Sequence, residues 1–425
     1  MKVLVYGAGV SGKGVAEVLQ KAGNEVLIYT DAMNSFLTSV EGVDLLVLSP
    51  GVSPEKEEVR LALSKGIKVV PEIEVAFARC SGRMAAITGT NGKTTTTTLV
   101  GEMLKTLGVP VKVAGNIGLS LSKETEELSA DAWVAAELSS FQLETVQNFA
   151  PAISCVLNLT PDHLERHHTL ENYYRAKKNI CLQQRENQFA VLNYDDANIR
   201  SWAYDLRCRV CYFSRRMELP EGVFIRDGSF VVAWDGKEEI VCSVKDMKIF
   251  GPHNEENVLA AIAVAYLAGC RVTDLAKVIK NFQPVEHRLE YVRTLDGVRY
   301  YNDSKATNTD SAVKALEAFP DGHVILIAGG HDKLTDLRDF MGTTKKFVDV
   351  LILLGEAKAR FLAAAKAEGV KNIYLVDSYD EAVALARKVA KKPQVVLLSP
   401  ACSSYDMFSC FEERGKKFKE LVQAL

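Results

Sequence analysis

Nowhere in the 425 residues do apolar side chains run for the ~20 positions that a bilayer-spanning helix requires. The apolar opening, MKVLVYG, is broken by glycines after a few residues, unlike a secretory leader, so a cytoplasmic protein without membrane insertion is expected. An excess of basic charge is missing too. Lys and Arg total 51 against 54 Asp and Glu, a formal net charge of −3, which disfavours nucleic acid as a partner. Small phosphorylated ligands stay open, because they need only a few local cations. The nine cysteines include one close pair, Cys208 and Cys211, with no second pair at zinc-finger spacing, so a structural zinc is not expected and buried thiols are. Fixed-period repeats are absent, as is low-complexity sequence apart from five consecutive threonines, Thr94 to Thr98.

What is present is ordinary globular material, 48% hydrophobic and 25% charged, and too long for a single core. Short apolar runs alternate with amphipathic stretches throughout, a pattern of βα units and mainly parallel sheets. The α/β chain divides into three blocks. Residues 1–82 carry KVLVYG, EVLIYT, LLVLSPG and IKVVPE, each closed by a turn signal, which fits a small Rossmann-like domain. Residues 83–284 begin with MAAITG, continue through AWVAAE and ISCVLNL, add a β-rich stretch between Phe189 and Val244, and end after the helical ENVLAAIAVAYLAG. Residues 285–425 alternate VRYYNDS, VILIAGG, VLILLG, IYLVD and VVLLSPA with helices such as YDEAVALARKVAKK, predicting a second Rossmann-like domain.

The threonines follow a strand and a glycine turn, ITGTNGKTTTTT, in which Gly89, Thr90, Asn91, Gly92, Lys93 and Thr94 form a loop opening a helix. Free backbone N–H groups and the positive end of the helix dipole there attract an anion. Lys93 would reach the outer phosphates, and the Thr94 hydroxyl could ligate magnesium. Thr95 is the next candidate ligand, and Thr96 to Thr98 are expected to pack. Only two residues separate the glycines, where the usual P-loop has four. The competing reading is a plain strand–turn–helix connection. A second glycine loop, GAGVSG, with Gly7, Gly9 and Gly12 after the first strand and Asp31 about 20 residues on, reads by itself as an NAD or FAD site. A Rossmann-shaped unit that holds another diphosphate, or none, is the competing reading.

Glu137, where AWVAAE ends, sits at a strand end of the kind that faces the ligand crevice, and its carboxylate suits a hard cation. The segment NLTPDHLERHHTLENYYRAKKNI holds three of the seven histidines. His163 comes first after the strand and is the best metal candidate, whereas His167 and His168 read as solvated loop residues. Zinc at His163 and His167 is the weaker alternative, since a proline turn precedes them. In the last block NDSKATN, AGGHDK and SPACSSYDMF each close a strand with small or polar residues, and are expected to line one sheet edge.

TGTNGKTT, HNEENVLAA, EHR and NDSKATN together resemble the Mur ligase family of ATP-dependent peptide-bond-forming enzymes, and the resemblance spans essentially the whole chain. ELSSFQLE, the glycine-rich start and SPACSSYDMF resemble the branch that joins D-glutamate to UDP-N-acetylmuramoyl-L-alanine. A sister ligase with another amino acid, or a folylpolyglutamate synthetase, is the alternative. The resemblance implies an N-terminal UDP-binding domain, a central ATPase and a C-terminal amino-acid-binding domain, working as a monomer with ATP and two Mg2+ ions. It also replaces the NAD reading of GAGVSG: Gly7, Val10, Ser11 and Asp31 would hold the nucleotide sugar, with Ser49, Pro50 and Gly51 closing over the uridine. The acidic position expected to end LIYT falls at Thr30, with Asp31 one later.

By the same resemblance Thr94 and Glu137 would hold the first magnesium, and His163 and a carbamylated Lys177 the second, with Lys178 the neighbouring alternative for the carbamate. Asn116, Ser139 and Gln142 would touch the muramoyl substrate. Asn254, Asn257, Arg288 and Asp303 would surround ATP, while Lys305, Thr307, Lys333, Ser404 and Phe411 would receive D-glutamate.

Overall fold

Aliphatic runs that do not alternate with polar residues cannot leave one face in water, so they become inner strands of parallel sheets. Val3, Leu4 and Val5 are wholly buried, as are Leu326 and Ile327 and the AVL of Phe189–Asn193. The computed structural model describes residues 1–33, 36–117 and 120–425, and its strands form three sheets.

The first sheet is all parallel, in the order Glu25–Tyr29, Lys2–Tyr6, Leu45–Leu48, Lys68–Pro71. Helices Val10–Lys21, Glu57–Ser64 and Glu72–Arg79 alternate with these strands.

The second sheet has nine strands, with Arg83–Thr88 between Trp133–Glu137 on one side and Ile153–Val156 on the other. The chain leaves that central strand toward one side and returns on the other, a switch point where α/β sheets bind ligands. Register pairs Ile87 with Glu137 and Thr88 with Val156, so all three strands end together. The β-rich stretch expected between Phe189 and Val244 continues this same sheet. Strands Phe189–Asn193, Arg209–Ser214 and Gly222–Arg226 extend it in parallel, and Ser229–Trp234 and Lys237–Ser243 finish it antiparallel.

The third sheet runs Glu290–Leu295, Val298–Asn302, Val395–Leu398, Val324–Gly329, Val348–Leu354, Ile373–Leu375. All pairs are parallel except the first, an antiparallel edge strand that the sequence reading did not include. Apolar clusters cover both faces, one around Leu326, Phe340 and Phe361, the other around Ile327, Tyr379 and Phe418. The chain forms two compact units, Met1–Met247 with Glu255–Phe282, and Lys248–Asn254 with Gln283–Leu425. Among the described residues no helix is long and apolar enough to cross a membrane.

Candidate active site

Within the first unit, the loop after Arg83–Thr88 turns into the helix Lys93–Leu104 through Gly92, whose φ of +81° is left-handed. Glycine is required there twice over. A side chain would be strained at that φ, and its Cβ would collide with Asn257 Oδ1. No side chain caps the helix, so its first amides and its dipole point outward for an anion. The preceding residues are pinned. Asn158 accepts from Asn91 N at 2.8 Å and donates to Asn91 O at 3.1 Å, and Thr90 Oγ1 lies 3.1 Å from Tyr173 Oη. Neither Asn158 nor Tyr173 was singled out by the sequence reading, for polar residues two loops away carry no local signal.

Lys93 Nζ donates to the carbonyls of Gly89 and Thr90, at 2.9 and 2.8 Å. Thr94 to Thr97 are buried, and Thr96 donates to Asn257 Oδ1 at 3.3 Å. The later threonines therefore pack the helix against its neighbour, as expected. Asn257 meets the loop through both Gly92 and Thr96.

Glu137 ends its strand 2% exposed. Oε1 accepts from Asn116 Nδ2 at 3.0 Å, and Oε2 is buried without a partner. An orphaned buried carboxylate oxygen costs on the order of 1–3 kcal/mol, a cost that a ligand at that oxygen would offset. Thr94 lies in the first turn of the helix after Arg83–Thr88, and His163 follows the strand Ile153–Val156, so both come after neighbouring parallel strands of the same sheet. His163 has φ +53° and packs 4.8 Å from the Phe141 ring. The hydroxyl and the carboxylate offer the oxygen ligands that a hard cation such as magnesium takes, whereas an imidazole nitrogen is a softer ligand. Ser139 and Gln142 form a reciprocal capping box on the short helix Ser140–Leu143, which fixes both beside Glu137.

Lys177 is 1% exposed and donates to Gly89 O at 2.8 Å. Burial, then the Lys93 charge, pushes its pKa well below the ordinary lysine value. Lys178 points elsewhere and pairs with Asp205, so only Lys177 belongs to the crevice. One expectation is corrected. His167 is not a solvated loop residue: it is 3% exposed, its Nε2 lies 3.0 Å from Ser140 Oγ, and burial followed by the Arg166 charge lowers its pKa to about 4. It is the buried residue of the single turn Leu164–His167. His168 is exposed and pairs with Glu55 at 3.0 Å.

The N-terminal glycine loop also folds tightly. Gly7 has φ +106°, and Ser49 Oγ donates to its carbonyl at 3.1 Å, bringing the Ser49, Pro50 and Gly51 turn against it. Val10 stands 66% exposed at the helix start, with Ser11 beside it. Asp31 pairs with Lys56 at 2.7 Å and accepts from Tyr6 Oη. Arg166 donates to Val52 O and Glu144 Oε2, both at 2.9 Å, tying this turn to the His163 segment.

In the second unit, the expected sheet edge is formed by Asn302, Leu398 and Gly329, ends of three adjacent strands. Asp303, 1% exposed, accepts from Ser399 Oγ at 2.8 Å and Leu289 N at 3.2 Å; burial raises its pKa to about 6 against the opposing pull of Arg288. Lys305 Nζ lies 4.8 Å over the Phe411 ring. Thr307 follows at the same turn, half-buried, and Asn254 is held by donating to Phe250 O at 2.8 Å. His331 and Ser403 form an isolated antiparallel bridge that draws the Lys333 loop to the Ser404 loop. Arg414, missed from sequence, is 1% exposed and donates to Ser304 Oγ, Ser304 O and Cys402 O at 2.7–3.0 Å, bracing both loops.

Residues 87–265 match the Mur ligase middle domain, and residues 287–402 match the Mur ligase glutamate ligase domain. The chain belongs to the Mur ligase family. A UDP-N-acetylmuramoylalanine--D-glutamate ligase of Pelotomaculum thermopropionicum is 46% identical over 445 residues, covering 100% of this chain and 98% of that one. The ligase of the same name from Thermoanaerobacter sp. strain X514 is 43% identical over 447 residues, at 100% and 98% coverage. Among solved Mur ligase-type structures, a pseudomurein peptide ligase type C from Methanothermus fervidus superposes with a TM-score of 0.65 at 17% identity, covering 100% and 99% of the two chains. The UDP-N-acetylmuramate-alanine ligase MurC of Thermotoga maritima does so with 0.63 at 19% identity, with the same coverage. These similarities establish the three-sheet α/β architecture as a Mur ligase fold.

Proposed function

We propose that this Mur ligase joins D-glutamate to UDP-N-acetylmuramoyl-L-alanine at the expense of ATP, through an acyl phosphate. The observation that carries the reading is the 46% identity, over the full chain, to a relative named for that reaction. The division of labour follows the blocks: residues 1–82 for the uridine diphosphate, 83–284 for ATP, 285–425 for the amino acid.

A carboxylate approaching the γ-phosphate meets like charge, and that repulsion is the barrier the site must remove. Two magnesium ions, on Thr94 and Glu137 and on His163 and a carbamylated Lys177, would supply the neutralising charge. Lys93 and the amides of Gly89 to Thr95 hold the phosphates in line. The carboxylate oxygen bonds to the γ-phosphorus as ADP leaves. The D-glutamate nitrogen then bonds to the acyl carbon, loses a proton, and phosphate departs with the electron pair of the broken C–O bond. Lys305, Thr307, Lys333, Ser404 and Phe411 would orient the incoming amine by its two carboxylates. A buried, readily deprotonated Lys177 is the form able to add carbon dioxide, which turns a cation into an anionic oxygen ligand.

Phosphate release measured with the nucleotide-sugar acid, ATP and one amino acid at a time tests the reading. Stimulation by D-glutamate is expected; stimulation by another amino acid or by a folate acceptor would replace the specificity and keep the family. A cytoplasmic monomer is part of the same proposal, checked by light scattering of the purified chain.

A further inference from the structure

Lys333 lies in an irregular segment, residues 330–337, that follows the strand Val324–Gly329 and precedes the helix Arg338–Phe347. Local bonds, Leu334 N to Asp332 Oδ1 and Arg338 N to Asp336 Oδ1, both at 2.9 Å, shape its turns, yet Leu334 is 78% exposed with φ +54°. A long-range restraint comes from the helix Lys358–Glu368 and the turn before it. Arg360 sends Nε and Nη2 to the two oxygens of Asp332, each at 2.6 Å, and Nη1 to the carbonyl of Thr335 at 2.9 Å. Asp332 directly precedes Lys333, and Thr335 comes two residues after it. One guanidinium therefore grips the chain on both sides of the lysine.

The grip is well made. Asp332 is 11% exposed, its second function is to accept from Leu334 N at 2.9 Å, and the Arg360 charge holds its carboxyl below the ordinary value. Bidentate arginine–carboxylate pairs are the strong, geometrically specific kind. The same turn secures the other end of the segment. His331 Nδ1 lies 2.7 Å from Glu356 Oε2, Ala357 N donates to Gly330 O at 2.9 Å, and Glu356 N donates to Asp406 Oδ2 at 3.1 Å, next to the Ser404 loop.

We propose that Arg360 is a positioning residue for amino-acid recognition: by clamping Asp332 and Thr335 it fixes Lys333 where a D-glutamate carboxylate binds. The inference rests on the reading of Lys333 given under Proposed function. Arg360 spends three of its five N–H groups on the loop, which is why its role is assigned as positioning through Lys333. Losing the clamp frees the lysine to sample many rotamers, which weakens amino-acid binding and leaves the phosphate loop untouched.

The test measures steady-state kinetics of the full chain with all three substrates for Arg360→Gln, Arg360→Lys, Asp332→Asn and the Arg360→Gln/Asp332→Asn pair. Arg360→Gln is expected to raise the KM for D-glutamate about tenfold, with the KM values for ATP and the nucleotide sugar within about twofold of wild type. Arg360→Lys keeps the charge but not the fork and should still raise it several-fold, which separates positioning from general attraction of an anion. The double variant should be little worse than either single one, as coupled partners require. An unchanged KM for D-glutamate in both Arg360 variants, or strictly additive effects, overturns the proposal. If Arg360→Gln fails to fold by thermal melting, Arg360→Lys and Asp332→Asn decide it alone. Wild-type protein without D-glutamate-dependent turnover would instead defeat the functional reading.

Discussion

Lys93 and Lys177 share one acceptor: both ammonium groups donate to the carbonyl of Gly89, at 2.9 and 2.8 Å. Burial is the larger cause driving Lys177 toward its neutral form, and repulsion from Lys93 across the shared oxygen adds to it. Lys177→Ala is expected to lower kcat by about a hundredfold, the loss that the proposed carbamate ligand implies. Short carboxylic acids added to that variant should restore part of the activity, read as phosphate release against acid concentration. An unrescued variant with wild-type turnover would remove Lys177 from the metal site.

Lys93→Ala should reduce kcat by about two to three orders of magnitude, the usual cost of one lost transition-state donor. Binding of the nucleotide sugar, followed by calorimetry without ATP, should stay within about twofold. Equal losses in both measurements would mean that the lysine supports the fold and not the phosphates.

Glu137→Gln separates stability from function. Oε2 is buried without a partner, so the amide of the same shape trades an unpaired anionic oxygen for an unpaired NH2, and the unfolding free energy from urea titration should change by no more than about 1 kcal/mol. The magnesium concentration for half-maximal activity should climb at least about tenfold. A destabilised variant with normal magnesium dependence would contradict the assignment.

Gly92→Ala is predicted to cost about 1–3 kcal/mol in unfolding free energy, from the positive φ and the collision with Asn257, and to abolish ATP binding. Denaturant unfolding and nucleotide titration read the two effects. Full ATP affinity in the variant would show that the loop does not need this turn.

Asp303 sets a pH dependence of stability. Its folded pKa, about 6, lies above the ordinary 3.8, so between those values the folded chain binds more protons than the unfolded one. Stability from this group is therefore greatest in acid and is lost as pH rises through the window. Asp303→Asn should gain on wild type by on the order of 2–3 kcal/mol from about pH 4 to about pH 7, in urea midpoints taken along that range. A gain that shrinks with pH would refute the burial account.

The glycine turn between strand and helix, the carboxylate at a strand end and the parallel sheets were legible in the sequence, because each depends on neighbours close in the chain: glycine where φ must be positive, apolar runs where both faces are buried, small polar residues where strands stop. The antiparallel strand Glu290–Leu295 was not, since its half-exposed residues do not mark it as buried sheet. Nor was the interior place of His167, which a single short turn decides.

By itself the sequence determined which chemical groups the protein owns and how they are spaced along loops, and with them the family. Only the tertiary structure decided that Lys177 and not Lys178 enters the crevice, that Asn158 and Tyr173 hold the phosphate loop, and that Arg414 and Arg360 brace loops far from them in sequence. Adjacent residues on a helix point about 100° apart, so which one faces inward depends on what the helix packs against. A partner from a distant strand becomes a neighbour only when the sheet closes.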